Sequence, residues 1–178
     1  MRHSLIIISD MLGCRDWMNA YEEYLRDPFE IKIYDARKLA GITTSQLVRE
    51  DIHQRFVGGG IETAAKNLLQ AEKKTTDIIL GFSVGGTIAW RSALLGLDVK
   101  YLLLVSATRL RYENQKPDCD MDLIYGELDT FKPSHTWFES KGLKEINIQE
   151  APHDWYMQKS NAKKITTKIK EKYGMNET

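Results

Sequence analysis

The sequence predicts an α/β fold: a three-layer α/β/α sandwich on a mostly parallel sheet of about six strands. Three observations lead there. Short apolar runs alternate along the chain with longer stretches of helical periodicity. The runs are almost continuously apolar, as strands buried on both faces of a parallel sheet must be. Pro28, Pro117, Pro133 and Pro152 all fall between the elements so defined, where a missing N–H does least harm.

The first run, Leu5–Ser9 (LIIIS), is β-branched and ends at Asp10. A helix over Asp16–Arg26 and a strand Ile31–Tyr34 (IKIY) follow. In Glu62–Lys73, Ala65, Leu68, Leu69 and Glu72 keep helical spacing, and Gly58–Gly60 reads as a loop before it. Next come a strand Asp77–Phe82 (DIILGF), a helix Val84–Leu95 and a strand Tyr101–Val105 (YLLLV). Two short strands, Leu123–Tyr125 and Ile146–Ile148, flank a helical stretch in Pro133–Ser140. Ile165, Ile169 and Tyr173 recur every four residues, which makes the C-terminal segment an amphipathic helix. Its solvated face carries Lys159, Lys163, Lys164, Lys168, Lys170 and Lys172. Strand–helix alternation of this kind implies right-handed βαβ crossovers. With no repeat, low-complexity tract or linker, residues 1–178 read as one domain.

Composition narrows the function by exclusion. Twenty-five basic residues balance twenty-five acidic ones, so no net field steers the chain to nucleic acid or an anionic membrane. Cys14 and Cys119 are too few for a disulfide framework or a zinc ribbon, and no C-x-x-C pair occurs. The N-terminal apolar run is too short for a signal peptide, and no run approaches the ~20 residues of a membrane span. The expectation is a cytoplasmic protein that needs no metal and no organic cofactor.

Chemistry concentrates at Gly81-Phe82-Ser83-Val84-Gly85-Gly86. The string G-x-S-x-G is weak evidence alone, but here a strand runs into it and a helix runs out. A serine on so sharp a turn takes a strained backbone, with its hydroxyl above the sheet. The residues two before and two after must be small, and both are glycine. The helix that follows points its first N–H groups at any negative charge formed beside the hydroxyl. The plainer alternative is a glycine turn that lets a strand meet a helix closely. A phosphate cradle would want G-x-x-x-x-G-K-[ST] or G-x-G-x-x-G, and neither occurs.

A serine needs a base. His3 lies at the amino end of the first strand, away from the edge where sites of such sheets collect. His53 sits in a polar helical stretch, and His135 falls within Pro133–Ser140. His153 follows the last strand, at the carboxyl edge, and is the candidate base; otherwise it is a surface histidine beside Asp154. The imidazole needs a carboxylate to orient it. Asp129, in the loop after Leu123–Tyr125, leads over Glu127, which hugs the strand end, and over Asp154, which adjoins His153.

The order Ser83, Asp129, His153 on successive strand ends resembles that of the α/β-hydrolase superfamily. The likeness runs from Leu5 to the C-terminal helix, and the chain looks like a minimal, cap-less member, similar in layout to small dienelactone-hydrolase-like or serine-hydrolase-type proteins. It implies an α/β-hydrolase fold lacking the first two strands and the cap, because Ser106–Asp120 is too short for a helical insertion. It also implies an oxyanion hole made by the N–H of Val84 and a second N–H from the loop after the first strand. Met11 is the first choice for that donor and Leu12 the second. Many relatives carry His-Gly here, whereas this chain has Ser9-Asp10. A carboxylate beside a developing oxyanion would oppose it, so Asp10 must point away, pair with a cation, or organise the loop as an Asx turn.

The function expected is cleavage of an ester, thioester or related acyl bond of a small molecule through an acyl-enzyme on Ser83. Met11, Leu12, Trp17, Phe82, Trp155 and Tyr156 are candidates to line an acyl pocket, or equally to pack the core. Two rivals remain open: a non-catalytic binding or regulatory module on the same fold, and an acyltransferase sharing the acyl-enzyme.

Overall fold

A computed structural model describes residues 2–43 and 47–175. Its centre is one six-stranded sheet in the order β2-β1-β3-β4-β5-β6, every neighbouring pair parallel. The strands are β1 (His3–Ile8), β2 (Phe29–Tyr34), β3 (Thr76–Phe82), β4 (Val99–Val105), β5 (Asp120–Gly126) and β6 (Glu145–Ile148). Side chains alternate between two cores, as a two-sided sheet requires. Ile6, Ile8, Ile79, Leu102, Leu104 and Tyr125 face one core; Leu5, Ile7, Leu80, Leu103 and Val105 face the other.

The first core is covered by α2 (Ala36–Leu39), α3 (Arg49–Arg55), α4 (Ile61–Ala71), α5 (Val84–Leu94) and α6 (His135–Ser140). The second lies under α1 (Asn19–Leu25) and α7 (Lys159–Lys172). In α7 the buried residues are Ala162, Ile165, Thr166 and Ile169, a stripe at helical spacing that leaves the lysines outside. The loop between β4 and β5 holds only a short turn at Leu110–Tyr112, so among the described residues no cap covers the carboxyl edge. Among the described residues no helix is long and apolar enough to cross a membrane.

The glycine run breaks the helical chain as the sequence reading expects, but in a shorter form than an open loop. Gly58 (φ −75°, ψ 16°) and Gly59 (φ 121°) leave helical geometry and separate α3 from α4, so the junction is a tight kink within Phe56–Gly60. Phe56 is buried beside the kink, and Gly59 supplies the positive φ that the change of direction needs.

Asp77 locks the amino edge. Its Oδ2 accepts from the Ser4 N–H (2.9 Å) and O–H (3.1 Å), and its Oδ1 from Lys100 Nζ (2.7 Å), which joins β1, β3 and β4. Burial works to raise its pKa, but the hydrogen bonds from Lys100 and Ser4 outweigh it and hold the carboxyl at about 2. A pKa lowered on folding contributes stability above the unfolded value, and that contribution is lost as pH falls through about 2. Asp77→Asn is therefore expected to cost roughly 1 kcal/mol at neutral pH, since solvent screens the pair with the exposed Lys100. In urea unfolding the gap to wild type should close as pH drops from about 4 towards 2. A gap independent of pH would refute this account.

Candidate active site

Because every strand runs the same way, the residues that follow β1, β3, β4, β5 and β6 meet at one edge. Ser83 stands between β3 and α5 with φ 51° and ψ −120°, a conformation costing a non-glycine residue about 1–3 kcal/mol. Its N–H donates to the Val105 carbonyl (2.9 Å), and its own carbonyl accepts from Gly86 (3.1 Å) and Thr108 (3.3 Å). Strand and helix cross so closely that a Cβ on Gly81 would lie 2.7 Å from the Gly86 Cα. On Gly85 it would lie 2.3 Å from the Ser9 carbonyl oxygen.

His153 reaches Ser83 from the loop after β6. That loop is fastened to the end of β5: Glu127 N–H donates to the Ile148 carbonyl (2.9 Å), and Leu128 N–H to that of Ala151 (3.0 Å). Glu127 Oε2 accepts the Glu150 N–H (2.9 Å), so this carboxylate holds the loop rather than the imidazole. His153 Nε2 lies 3.1 Å from Ser83 Oγ, and His153 Nδ1 lies 2.8 Å from Asp129 Oδ2. Asp129 is 2% exposed, and its other oxygen accepts the Phe131 N–H (2.8 Å), which fixes the carboxylate plane. A carboxylate facing Nδ1 places the ring proton there and leaves the Nε2 lone pair towards the hydroxyl. The exposed Phe131 ring stands edge-on to the imidazole with centroids 5.1 Å apart.

The other histidines lie elsewhere. His3 is the first residue of β1, 3.7 Å from Asp77 at the amino edge. His53 faces Glu50, and His135 faces Glu139 and Glu145, all at 3.6–3.9 Å on the surface. Asp154 is exposed and heads the turn Trp155–Met157.

Opposite His153, residues Asp10–Gly13 form a tight turn. The Gly13 N–H donates to the Asp10 carbonyl (3.1 Å), and the Leu12 N–H to Asp10 Oδ1 (2.8 Å). Asp10 is thus an Asx-turn residue, and the Leu12 N–H, the second-choice oxyanion donor, is already spent. The N–H groups of Met11 and Val84 have no protein acceptor among the described residues. Asp10 is 2% exposed, and burial raises its carboxyl above the ordinary value.

The aromatic candidates divide. Phe82 and Trp155 are 0% and 2% exposed and belong to the core; the Trp155 indole N–H donates to Ser106 Oγ (3.1 Å). Trp17 is half-buried and meets Phe82 and Tyr156 with ring centroids 4.9 and 5.1 Å apart. Met11 and Leu12 are half-buried on the other core. Phe131, Arg109 and Tyr112 were not singled out in the sequence. Arg109 (φ 62°) and the exposed Tyr112 line a cavity of about 180 Å³ with Val57 and Thr87, one turn along α5 from Ser83. Only their place after β4 and β5 could have flagged them. Among the described residues no group of three or more His, Cys, Asp and Glu is placed to hold a metal ion.

No family model and no curated protein matches the chain. Solved structures do. A protein described as a predicted CIB-like hydrolase from Thermoplasma acidophilum is 17% identical with a TM-score of 0.69, over 99% of this chain and 87% of that one. Mouse α/β-hydrolase domain-containing protein 10 is 14% identical with a TM-score of 0.66, over 96% and 89%. An α/β serine hydrolase without lid from Xanthomonas campestris is 14% identical with a TM-score of 0.61, over 96% and 82%. At such identities the likeness carries the architecture, and with the open carboxyl edge it leads to one statement: this chain has the fold of the α/β-hydrolase superfamily, in a form without a cap.

Proposed function

We propose that the protein is a serine hydrolase of carboxylesterase or thioesterase type, with Ser83 as nucleophile, His153 as base and Asp129 as the residue that orients the base. The observation that carries this reading is the unbroken line from Ser83 Oγ to His153 Nε2 (3.1 Å) and from Nδ1 to a buried carboxylate (2.8 Å). Its position on a strained strand-to-helix turn adds weight.

In the first half-reaction His153 takes the Ser83 proton as Oγ bonds to the acyl carbon. The carbonyl oxygen becomes an oxyanion, held by the N–H groups of Val84 and Met11. Collapse expels the alcohol or thiol, which leaves with the proton from His153. Water then attacks the acyl-enzyme, His153 takes its proton, and collapse returns that proton to Ser83 and releases the acid. Val84 opens α5, so the helix dipole adds to its N–H.

The test is an activity-independent label. A fluorophosphonate probe should modify Ser83 in the full chain, located by peptide mass spectrometry, and Ser83→Ala should abolish the modification. A wild-type protein that stays unmodified at Ser83 would remove the hydrolase reading. One observation favours the binding-module alternative: the buried Asp10 carboxyl beside the oxyanion turn. Labelling decides between them.

A further inference from the structure

We infer that Asp10 is a positioning residue for the reaction proposed above, folding the turn that leaves the Met11 N–H as its one unspent donor. The inference rests on the hydrolase reading and deepens it. Three N–H groups follow Asp10 in the turn. Gly13 gives its own to the Asp10 carbonyl (3.1 Å) and Leu12 gives its own to Oδ1 (2.8 Å). Met11 keeps the third.

The turn is also built into the fold from two sides. Ser9 Oγ donates to the Asp10 carbonyl (3.1 Å) and accepts the Ala36 N–H (2.9 Å) at the start of α2. On the other side Asp10 Oδ2 accepts the Tyr156 O–H at 3.4 Å, a long bond. Tyr156 lies three residues past His153, its ring centroid 6.3 Å from the imidazole, and its carbonyl accepts the Tyr21 O–H (2.7 Å). Asp10 therefore ties the oxyanion turn to the segment that carries the base.

A buried carboxyl with one good hydrogen bond and one long one is a poor device for stability. What it supplies here is geometry, and geometry does not require the charge. An asparagine side-chain oxygen can accept the Leu12 N–H equally well, without a negative charge beside the forming oxyanion. Arg15 and Arg49 lie close enough to act on that charge, and burial disfavours it, raising the carboxyl's pKa.

The experiment compares Asp10→Ala and Asp10→Asn in the full chain. It reads kcat and KM on p-nitrophenyl butyrate, the second-order rate of fluorophosphonate labelling at Ser83, and the melting temperature. Asp10→Ala should lower kcat and the labelling rate by at least about tenfold with KM little changed, since losing one oxyanion donor outright costs about 10²–10³. Asp10→Asn should restore both rates to the wild-type level or above. A purely structural role would move the melting temperature of both variants and leave kcat alone. Labelling of Asp10→Ala at the wild-type rate overturns the inference. So does an Asp10→Asn protein that folds but runs below a tenth of wild-type kcat, which alone decides the matter should Asp10→Ala not fold. A wild-type chain unlabelled at Ser83 overturns the hydrolase reading and this inference together.

Discussion

Ser83→Ala is expected to reduce turnover of a short-chain activated ester to background, a loss of about 10⁴-fold or more. In the proposed mechanism the hydroxyl, 3.1 Å from His153 Nε2, is the attacking group. His153→Ala should lose about as much, because an unactivated hydroxyl is a weak nucleophile and the leaving group has no acid. The double variant should lose little more, since the two groups act in one step. Asp129→Ala should cost less than either, but not little. It frees the imidazole to rotate, removes the charge that stabilises the imidazolium and strips the Phe131 N–H of its acceptor. Steady-state rates must be read with the pre-steady-state burst, because surface groups also hydrolyse activated esters. Equal rates for wild type and Ser83→Ala, with no burst in either, would end the hydrolase reading.

How much of this was legible in the chain depends on how local each feature is. The central strands announce themselves because both faces are buried; Leu102, Leu103 and Leu104 need no alternation. The edge strands are less plain: Ile33 is 37% exposed on β2, and β6 is only four residues long. Helix α2 escaped because four residues show no period; it depends on Asp35, which caps the Arg37 and Lys38 N–H groups at 2.8 and 3.2 Å. Ser83 is legible since strand, turn and helix are contiguous there. The Asx turn at Asp10 is equally local, and it was among the roles the sequence allowed. The contact between Asp10 and Tyr156 spans 146 positions, and no spacing rule reaches that far. The glycine run is local too: the break at Gly58 and Gly59 was legible, its tightness was not.

Gly126→Ala is expected to injure stability and chemistry together. Gly126 closes β5, and its φ is not in the left-handed region, so glycine is needed there for space alone. An added Cβ would stand 2.3 Å from the Ala151 carbonyl oxygen and 2.5 Å from that of Pro152, closer than real contacts allow. Both obstacles are backbone and cannot swing aside. Either the end of β5 or the loop leading to His153 must therefore move. That loop is pinned by the bond from the Leu128 N–H to the Ala151 carbonyl (3.0 Å), so relief breaks it or carries His153 away from Ser83. Overpacking of this kind costs about 1–3 kcal/mol, and more where backbone must shift. A displacement of about 1 Å at the base can cost roughly 10²-fold in rate. Gly58→Ala is the contrasting variant. Gly58 has φ −75° and nothing within 4 Å of a new Cβ, so it should keep wild-type activity. It should also gain up to about 1 kcal/mol from a less flexible unfolded chain. The measurements are melting temperature and, well below it, kcat on p-nitrophenyl butyrate. Gly126→Ala should show a depressed melting temperature and a depressed kcat in the folded protein. Wild-type values of both would mean that the β5 terminus does not hold the His153 loop in place.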